Sequence, residues 1–370
     1  MSVRSFVEGQ GFKPAVNAQA VKGRGATSNI ASRFSATTAE PVVDDWSERS
    51  PQMPMLDTVL YEDKAKTIIA TNSSPDVPFD RSINPYQGCE HGCIYCYARP
   101  SHAYWDASPG LDFESKIFYK SNAAALLERE LSRPSYRVQP ITLGANTDPY
   151  QPVEARLEIT QSIIEVLARY RHPFSIITKG AGILRDLPRL ESLAQQNLVT
   201  VNISVTTLDD NLKRKLEPRA AAPEARLRTV RALADAGIPT GILLAPIIPA
   251  INDAEIERIL QASSDAGARS ANYILLRLPL EVRPLFRQWL ANHYPDKFNH
   301  VMNLIRETRG GRENSAQFKE RMTGTGAYAD MIKQRFLLRR NQLGLGDKLP
   351  ALNTQLFIQA PQSSAQLTLF

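Results

Sequence analysis

Thiols are scarce in this chain. Its 370 residues hold three cysteines, Cys89, Cys93 and Cys96, all within one short stretch. No other thiol is left to pair with them, so a disulfide framework is excluded. Three clustered thiols in a reducing compartment are metal or cluster ligands. Long apolar runs are also missing, and no basic-then-apolar leader opens the chain. No membrane span and no secretory signal are therefore predicted, and a cytoplasmic location is expected. Charge bias is weak, with a net +6 at pH 7 and a pI near 9.2, which leans mildly toward a polyanionic partner. Periodicity is lacking in residues 1 to about 50, which are rich in Ser, Ala, Gly, Thr and Arg, as in Gly23-Arg24-Gly25-Ala26-Thr27-Ser28. A flexible arm over 1–54 is the expectation.

What is present beyond the arm alternates. Lys66–Thr71 reads as a short strand, and the cysteine stretch follows at 84–100. Pro140–Asn146 reads as a buried strand. Pro152–Arg171 then carries helical spacing through Ile159, Ile163, Val166, Leu167 and Tyr170. Further strands are read at Phe174–Thr178, Leu198–Val205, Thr240–Ile247 and Asn272–Leu278. Amphipathic helices separate them, one closed by Gly237. Short apolar strands alternating with helices mark a parallel sheet covered on both faces. With one strand before the cysteines the count is about six βα units, a partial (β/α)6 barrel over 55–309. Chemistry in such folds sits at the C-terminal strand ends. The cysteine stretch, Asn146-Thr147-Asp148, Thr178-Lys179 and Ser204–Thr207 all fall there. A basic helical extension is expected at 310–344 and a flexible tail at 345–370.

The cysteine spacing is Cys-x3-Cys-x2-Cys, with Gly88 and Gly92 easing tight backbone turns. Three thiolates suit a 4Fe–4S cluster with one iron left open for a substrate or cofactor. Zinc with His91 or His102 as a fourth ligand is the other reading of the same residues.

Cys89, Cys93 and Cys96, with Tyr95 before the last cysteine, resemble the cluster loop of radical S-adenosylmethionine enzymes. The flanking Tyr95-Cys96-Tyr97 and the run Gly144-Ala145-Asn146-Thr147-Asp148-Pro149-Tyr150-Gln151-Pro152-x-Glu154 resemble the spore photoproduct lyase and DNA-repair-photolyase-like group. The resemblance spans roughly residues 80–280. It implies a 4Fe–4S cluster on the three cysteines and S-adenosylmethionine on the open iron. It also implies an electron donor such as flavodoxin or ferredoxin, and hydrogen abstraction from a substrate such as damaged DNA. Lys179 is the expected partner of the cofactor carboxylate. Ser204 and Thr206 share one strand face with the deeper Asn202 and are expected to hydrogen-bond the cofactor. Asp148 either accepts from a cofactor hydroxyl or caps the next helix. Glu154, in a first helical turn where the dipole favours a carboxylate, completes the cofactor set. Tyr95 and Tyr97 either relay a hydrogen atom or pack on the cluster. Spore photoproduct lyase uses one more cysteine as hydrogen donor. Here that position falls near Ala145 or Asn146, so the lyase's own reaction is not expected.

Two other readings stand beside this one. One is a zinc- or cluster-stabilised nucleic-acid-binding protein without turnover. The other is a radical enzyme acting on a protein or small molecule. The terminal Gln366-Leu367-Thr368-Leu369-Phe370 resembles a bacterial sliding-clamp-binding peptide, with Gln366, Leu367, Leu369 and Phe370 as contacts. It points to DNA independently of the cysteines, as does the basic 310–341 segment.

Overall fold

The computed structural model describes residues 21–34 and 56–359. Its strands, in chain order, are β1 Val59–Glu62, β2 Ile69–Thr71, β3 Arg81–Ile83, β4 Tyr86–Gln87, β5 Lys116–Tyr119, β6 Ile141–Leu143, β7 Phe174–Thr178, β8 Val199–Ser204, β9 Thr240–Ile247 and β10 Ser270–Leu275. The main sheet runs β10-β9-β8-β7-β6-β3-β2. Pairing is parallel from β3 through β10, and β2 lies antiparallel on the outer edge. Strands β2 and β10 do not pair with each other, so six parallel strands make the open, partial barrel that the alternation implies. A small second sheet, β1-β5-β4, backs the cysteine loop.

Burial explains the regularity. In β8, Val199, Val201 and Ile203 face one layer while Thr200 and Ser204 are buried on the other face. Outside, the helix Ile159–Arg169 buries Ile159, Ile163, Ile164, Val166 and Leu167 against the sheet. Each fully buried aliphatic side chain of this kind contributes about 1.5–3 kcal/mol.

Four expectations need correction. First, the strand opening the barrel is β3, not the 66–71 stretch, of which only β2 survives as an edge. Ile83 is the one aliphatic residue in β3, so periodicity gives no signal there. Second, Pro152–Arg171 is not one helix. Glu158 takes φ +54° and separates Glu154–Leu157 from Ile159–Arg169. The Glu154 carboxylate accepts from the N–H groups of Thr160 and Gln161, at 3.0 and 3.3 Å, and so caps the second helix.

Third, residues 21–34 are not a loose arm. Arg24 and Ala26 are buried, and the N–H groups of Gly25 and Ala26 donate to Glu114 at 2.9 and 2.8 Å. A Cβ on Gly25 would meet the Gly92 carbonyl oxygen at 1.9 Å, so only glycine fits against the cysteine loop there. The anchoring acid is about 90 residues away in sequence, which local composition cannot reveal. Fourth, the chain after Gly344 is ordered as far as residue 359. Gly346 pairs with β10, Asn353 N–H donates to Asn197 at 2.8 Å, and Ile358 N–H donates to Tyr170 at 2.9 Å. These contacts lie at the N-terminal ends of the strands, so 345–358 floors the barrel. The clamp-like peptide lies outside the described residues.

The 310–344 extension belongs to the same body. Ile332 and Phe336 join the barrel core, Arg335 is bidentate to Glu257, and Arg321 pairs with Asp76. Several of its basic residues are thus spent within the protein. Among the described residues no helix is long and apolar enough to cross a membrane.

Candidate active site at the barrel mouth

The cysteine loop follows β4 and crosses the C-terminal ends of the strands. Two short turns shape it: Gly92 N–H donates to the Cys89 carbonyl and Cys96 N–H to the Cys93 carbonyl. Gly88 and Gly92 take φ of +81° and +67°, where a β-carbon would be strained. Arg99, fully buried, grips the loop from behind. It donates to the carbonyls of Cys93 at 2.9 Å and Gly92 at 3.3 Å, and it pairs with the equally buried Glu114. Glu114 in turn holds Gly25 and Ala26, so three segments close around the loop. Cys89 and Cys93 are buried and Cys96 is half-buried, and none of them is in a disulfide. Burial pushes all three above the ordinary thiol value. Stable thiolates there call for a cationic centre between them.

Facing the loop from inside the barrel is Glu217, fully buried at the end of the helix Asp210–Leu216. It pairs with Arg226 and lies 3.2 Å from Lys179 Nζ. It accepts from the Thr206 hydroxyl at 2.8 Å and from the Tyr95 hydroxyl. Burial opposes its charge, but Arg226 and Lys179 outweigh burial and hold it well below the usual carboxylate range. Lys179, just past β7, also donates to Ser204 Oγ at 2.6 Å, and its Nζ lies 5.7 Å from the Tyr95 ring centre. Lys179, Ser204, Thr206 and Tyr95 therefore converge on one buried network, with Lys179 Nζ at its partly exposed end.

Asp148 ties a third group together. It accepts from the Thr178 hydroxyl at 2.6 Å, Lys179 N–H at 2.7 Å and Tyr150 N–H at 2.9 Å, and lies 3.3 Å from His91 Nδ1. Burial again opposes the charge, while His91 and these donors keep it below its ordinary value. Asp148 is thus no helix cap, and its oxygens are occupied in orienting the β6 and β7 ends against the cysteine loop.

Two expected cofactor residues stand apart. Glu154 is saturated by Tyr86, Thr160, Gln161 and Arg185, so its carboxylate serves the helix junction rather than a ligand. Asn202 lies about two strand residues below Ser204, some 6–7 Å deeper. Its Oδ1 crowds Gly241 in register on β9, close to the Leu349 side chain of the floor. Tyr97 points the other way. Its ring is half-exposed at the mouth, and its hydroxyl donates to the Ala145 carbonyl.

Glu217, Arg226, Arg99 and Glu114 escaped the sequence reading. Each sits in or beside an ordinary amphipathic or turn segment and gains its role only from long-range partners. The one available signal was the density of charge in Lys213-Arg214-Lys215-Leu216-Glu217-Pro218-Arg219 beside a strand end.

Among the described residues, no three His, Cys, Asp or Glu side chains converge closely enough to hold one metal ion. His91 is turned to Asp148. His102 is packed edge-on against Phe113 and Phe118, and burial lowers its pKa to about 4. Neither histidine joins the thiols as the zinc reading requires.

Residues 83–262 match the family model of the radical SAM superfamily. An uncharacterized protein of Mycobacterium tuberculosis is 37% identical over 263 residues, covering 70% of this chain and 77% of its own length. An uncharacterized protein of Methanocaldococcus jannaschii is 25% identical over 240 residues, covering 65% of this chain and 85% of its own. A serine-for-cysteine mutant of spore photoproduct lyase has the same fold, with a TM-score of 0.53 at 16% identity, covering 77% of this chain and 80% of its own. The same lyase solved with dinucleoside spore photoproduct gives a TM-score of 0.50 at 15% identity, again with 77% and 80% covered. The chain belongs to the radical SAM superfamily, as an enzyme whose partial barrel is that of spore photoproduct lyase.

Proposed function

We propose that this enzyme holds a 4Fe–4S cluster on Cys89, Cys93 and Cys96 and uses S-adenosylmethionine to take hydrogen from a nucleic-acid substrate, with damaged DNA as the leading class. The observation that carries the reading is the meeting of a three-thiol loop with the Lys179–Ser204–Glu217 network at the strand ends of an open barrel. Three ligands leave one iron of such a cluster free. When bound, the pair supplies an electron to the sulfonium and a carbon radical able to take hydrogen.

The chain's own residues have separable tasks. Lys179 Nζ, at the exposed end of its network, is the cation offered to the cofactor carboxylate, with Ser204 as its neighbouring hydroxyl. Glu217 holds Lys179 in place through their 3.2 Å ion pair. Thr206 and Tyr95 position Glu217, and the Tyr95 hydroxyl is occupied in doing so, which favours packing over relay for that residue. Asp148 orients Thr178 and the Lys179 backbone. Tyr97 is the better candidate for returning a hydrogen atom. Its phenol reaches Ala145, near the position where the lyase resemblance expects a donor cysteine, and no cysteine is there. Support for DNA comes from the lyase fold, whose solved relative carries dinucleoside spore photoproduct, and from the net positive charge.

Anaerobic reconstitution tests the reading. It should give a brown protein with about four irons per chain. Dithionite should then release deoxyadenosine from S-adenosylmethionine, with deuterium arriving from labelled damaged DNA and not from undamaged DNA. A colourless chain that binds one zinc overturns it.

A further inference from the structure

One cation at the mouth takes no part in the networks above. Arg277 lies two residues beyond the end of β10. Its guanidinium carbon is 5.9 Å from the centre of the ring of Tyr97, the residue after the last cysteine. Its Nη1 reaches only the Met322 sulfur, at 3.8 Å, and its Nε is buried without a hydrogen-bond partner. It forms no ion pair among the described residues. Nearby Asp76 is already taken by Arg321 at 2.5 Å.

A second arginine is close enough to act on it electrostatically. Arg309 is buried, donates to the carbonyls of Leu275, Leu276 and Glu320 at 3.1, 2.8 and 2.9 Å, and forms no ion pair among the described residues. Burial and the neighbouring Arg277 lower its pKa to about 10. Two partly desolvated guanidinium groups that act on each other repel, and neither forms an ion pair among the described residues. An external anion held there would offset that repulsion through charge-assisted hydrogen bonds.

Exposed aromatic groups lie on the segment that follows the cysteines and on the described N-terminal segment, their rings 5.3 Å apart. Tyr104 is 72% exposed and Phe34 is 55% exposed. The Arg33 guanidinium lies over both rings, at 5.2 and 4.6 Å, and pairs with Glu281 on the segment that follows Arg277. Tyr104 belongs to the short helix Arg99–Trp105 that begins just after Tyr97. An anion site followed by arginine-backed aromatic faces suits a polynucleotide strand, with phosphate on the cation and bases on the rings. A peptide carboxylate explains the arginines but not the exposed rings.

We propose that Arg277, backed by Arg309, receives a backbone phosphate of an unpaired nucleic-acid strand at the mouth, while Tyr104 and Phe34 stack its adjoining bases. This deepens the nucleic-acid reading of the same site and rests on it. It does not require the radical chemistry to be observed.

The test is fluorescence anisotropy of the full-length protein with a labelled 12-nucleotide oligo-dT. Arg277→Gln should weaken binding at least several-fold and reduce the slope of log K against log salt by about 0.7. Tyr104→Ala should weaken it by about fivefold or more, with little change of salt slope. Tyr104 is exposed, so that variant folds even if Arg277→Gln does not; thermal melts of both establish this. Wild-type affinity in both folded variants overturns the proposal. So does displacement of the oligonucleotide by polyglutamate of equal charge at equal concentration, which would make the site a general anion surface. Absence of deoxyadenosine from reconstituted wild type would instead sink the radical reading, whatever the anisotropy gives.

Discussion

Glu114 and Glu217 are both fully buried carboxylates paired with buried arginines, and they flank the cysteine loop from opposite sides. Their surroundings differ in one respect. Glu114 is enclosed by Arg99 and by the N–H groups of Gly25 and Ala26, and none of these partners faces the mouth. Glu217 is enclosed by Arg226, Tyr95 and Thr206, but its remaining partner, Lys179, retains 16% side-chain exposure toward the site. The first acid is therefore a clamp on the loop, and the second connects the core to a group that can meet a ligand. A buried ion pair is by itself weak evidence for net stability, because desolvation offsets its attraction. What separates these two is the direction in which the pair transmits its constraint.

The comparison can be broken by experiment, and removing the clamp should give the largest effect. Glu114→Ala leaves Arg99 charged and buried with two backbone N–H groups unpaired, so unfolding free energy should fall by about 3–5 kcal/mol. Urea denaturation measures this, and iron retained after reconstitution should fall in parallel. Full stability with full iron would show that the loop needs no clamp.

Glu217→Gln should act differently. The amide can still accept from Tyr95 or Thr206, so iron loading should stay near wild type. Lys179 loses the charge that aims it, and kcat/KM for S-adenosylmethionine cleavage should drop about 10- to 100-fold. Equal loss of iron in the two variants would erase the distinction between clamp and connector.

Acid titration sharpens the same point with a smaller effect. Glu217 and Asp148 are held below their ordinary carboxylate values in the folded protein. The stability they contribute is complete above the unfolded carboxylate pKa of about 4 and is lost as pH falls below it, because the unfolded chain then binds more protons. Stability measured between neutral pH and pH 3 should therefore decline in acid. Glu217→Gln should flatten part of that decline, and an unchanged slope would remove Glu217 from the account.

The smallest effect is expected far from the loop. Arg335→Ala deletes a half-exposed bidentate pair with Glu257 and should cost no more than about 1 kcal/mol in denaturation. A much larger loss would mean that the C-terminal helix carries more of the barrel's stability than its ion pair suggests.

How much of this was legible in the residues follows from the range of the interactions. The parallel strands β7, β8 and β9 and their covering helices were readable because each is apolar within its own span. The strand β3 was not, since a three-residue element with one aliphatic side chain has no measurable period. Lys179, Ser204 and Thr206 were readable as strand-end polar groups that share a mouth. Glu154 misled, because a carboxylate in a first helical turn looks the same whether it meets a ligand or, as here, caps the next helix across a break at Glu158.

The sequence by itself determined the chemistry offered at the mouth. Three thiols with no fourth, glycines where the loop must turn, and apolar strands spaced by helices are local facts, and together with Tyr95-Cys96-Tyr97 and the Gly144–Glu154 run they carry the resemblance to the superfamily. Only the tertiary structure decided how that loop is held and where its charges are spent. It brought Gly25 and Ala26 onto Glu114, gave Lys179 to Glu217, folded 345–358 under the barrel and gave Arg277 no ion pair among the described residues. The physical reason is that buried charges choose partners by proximity in space, and those partners lie tens to hundreds of residues apart along the chain.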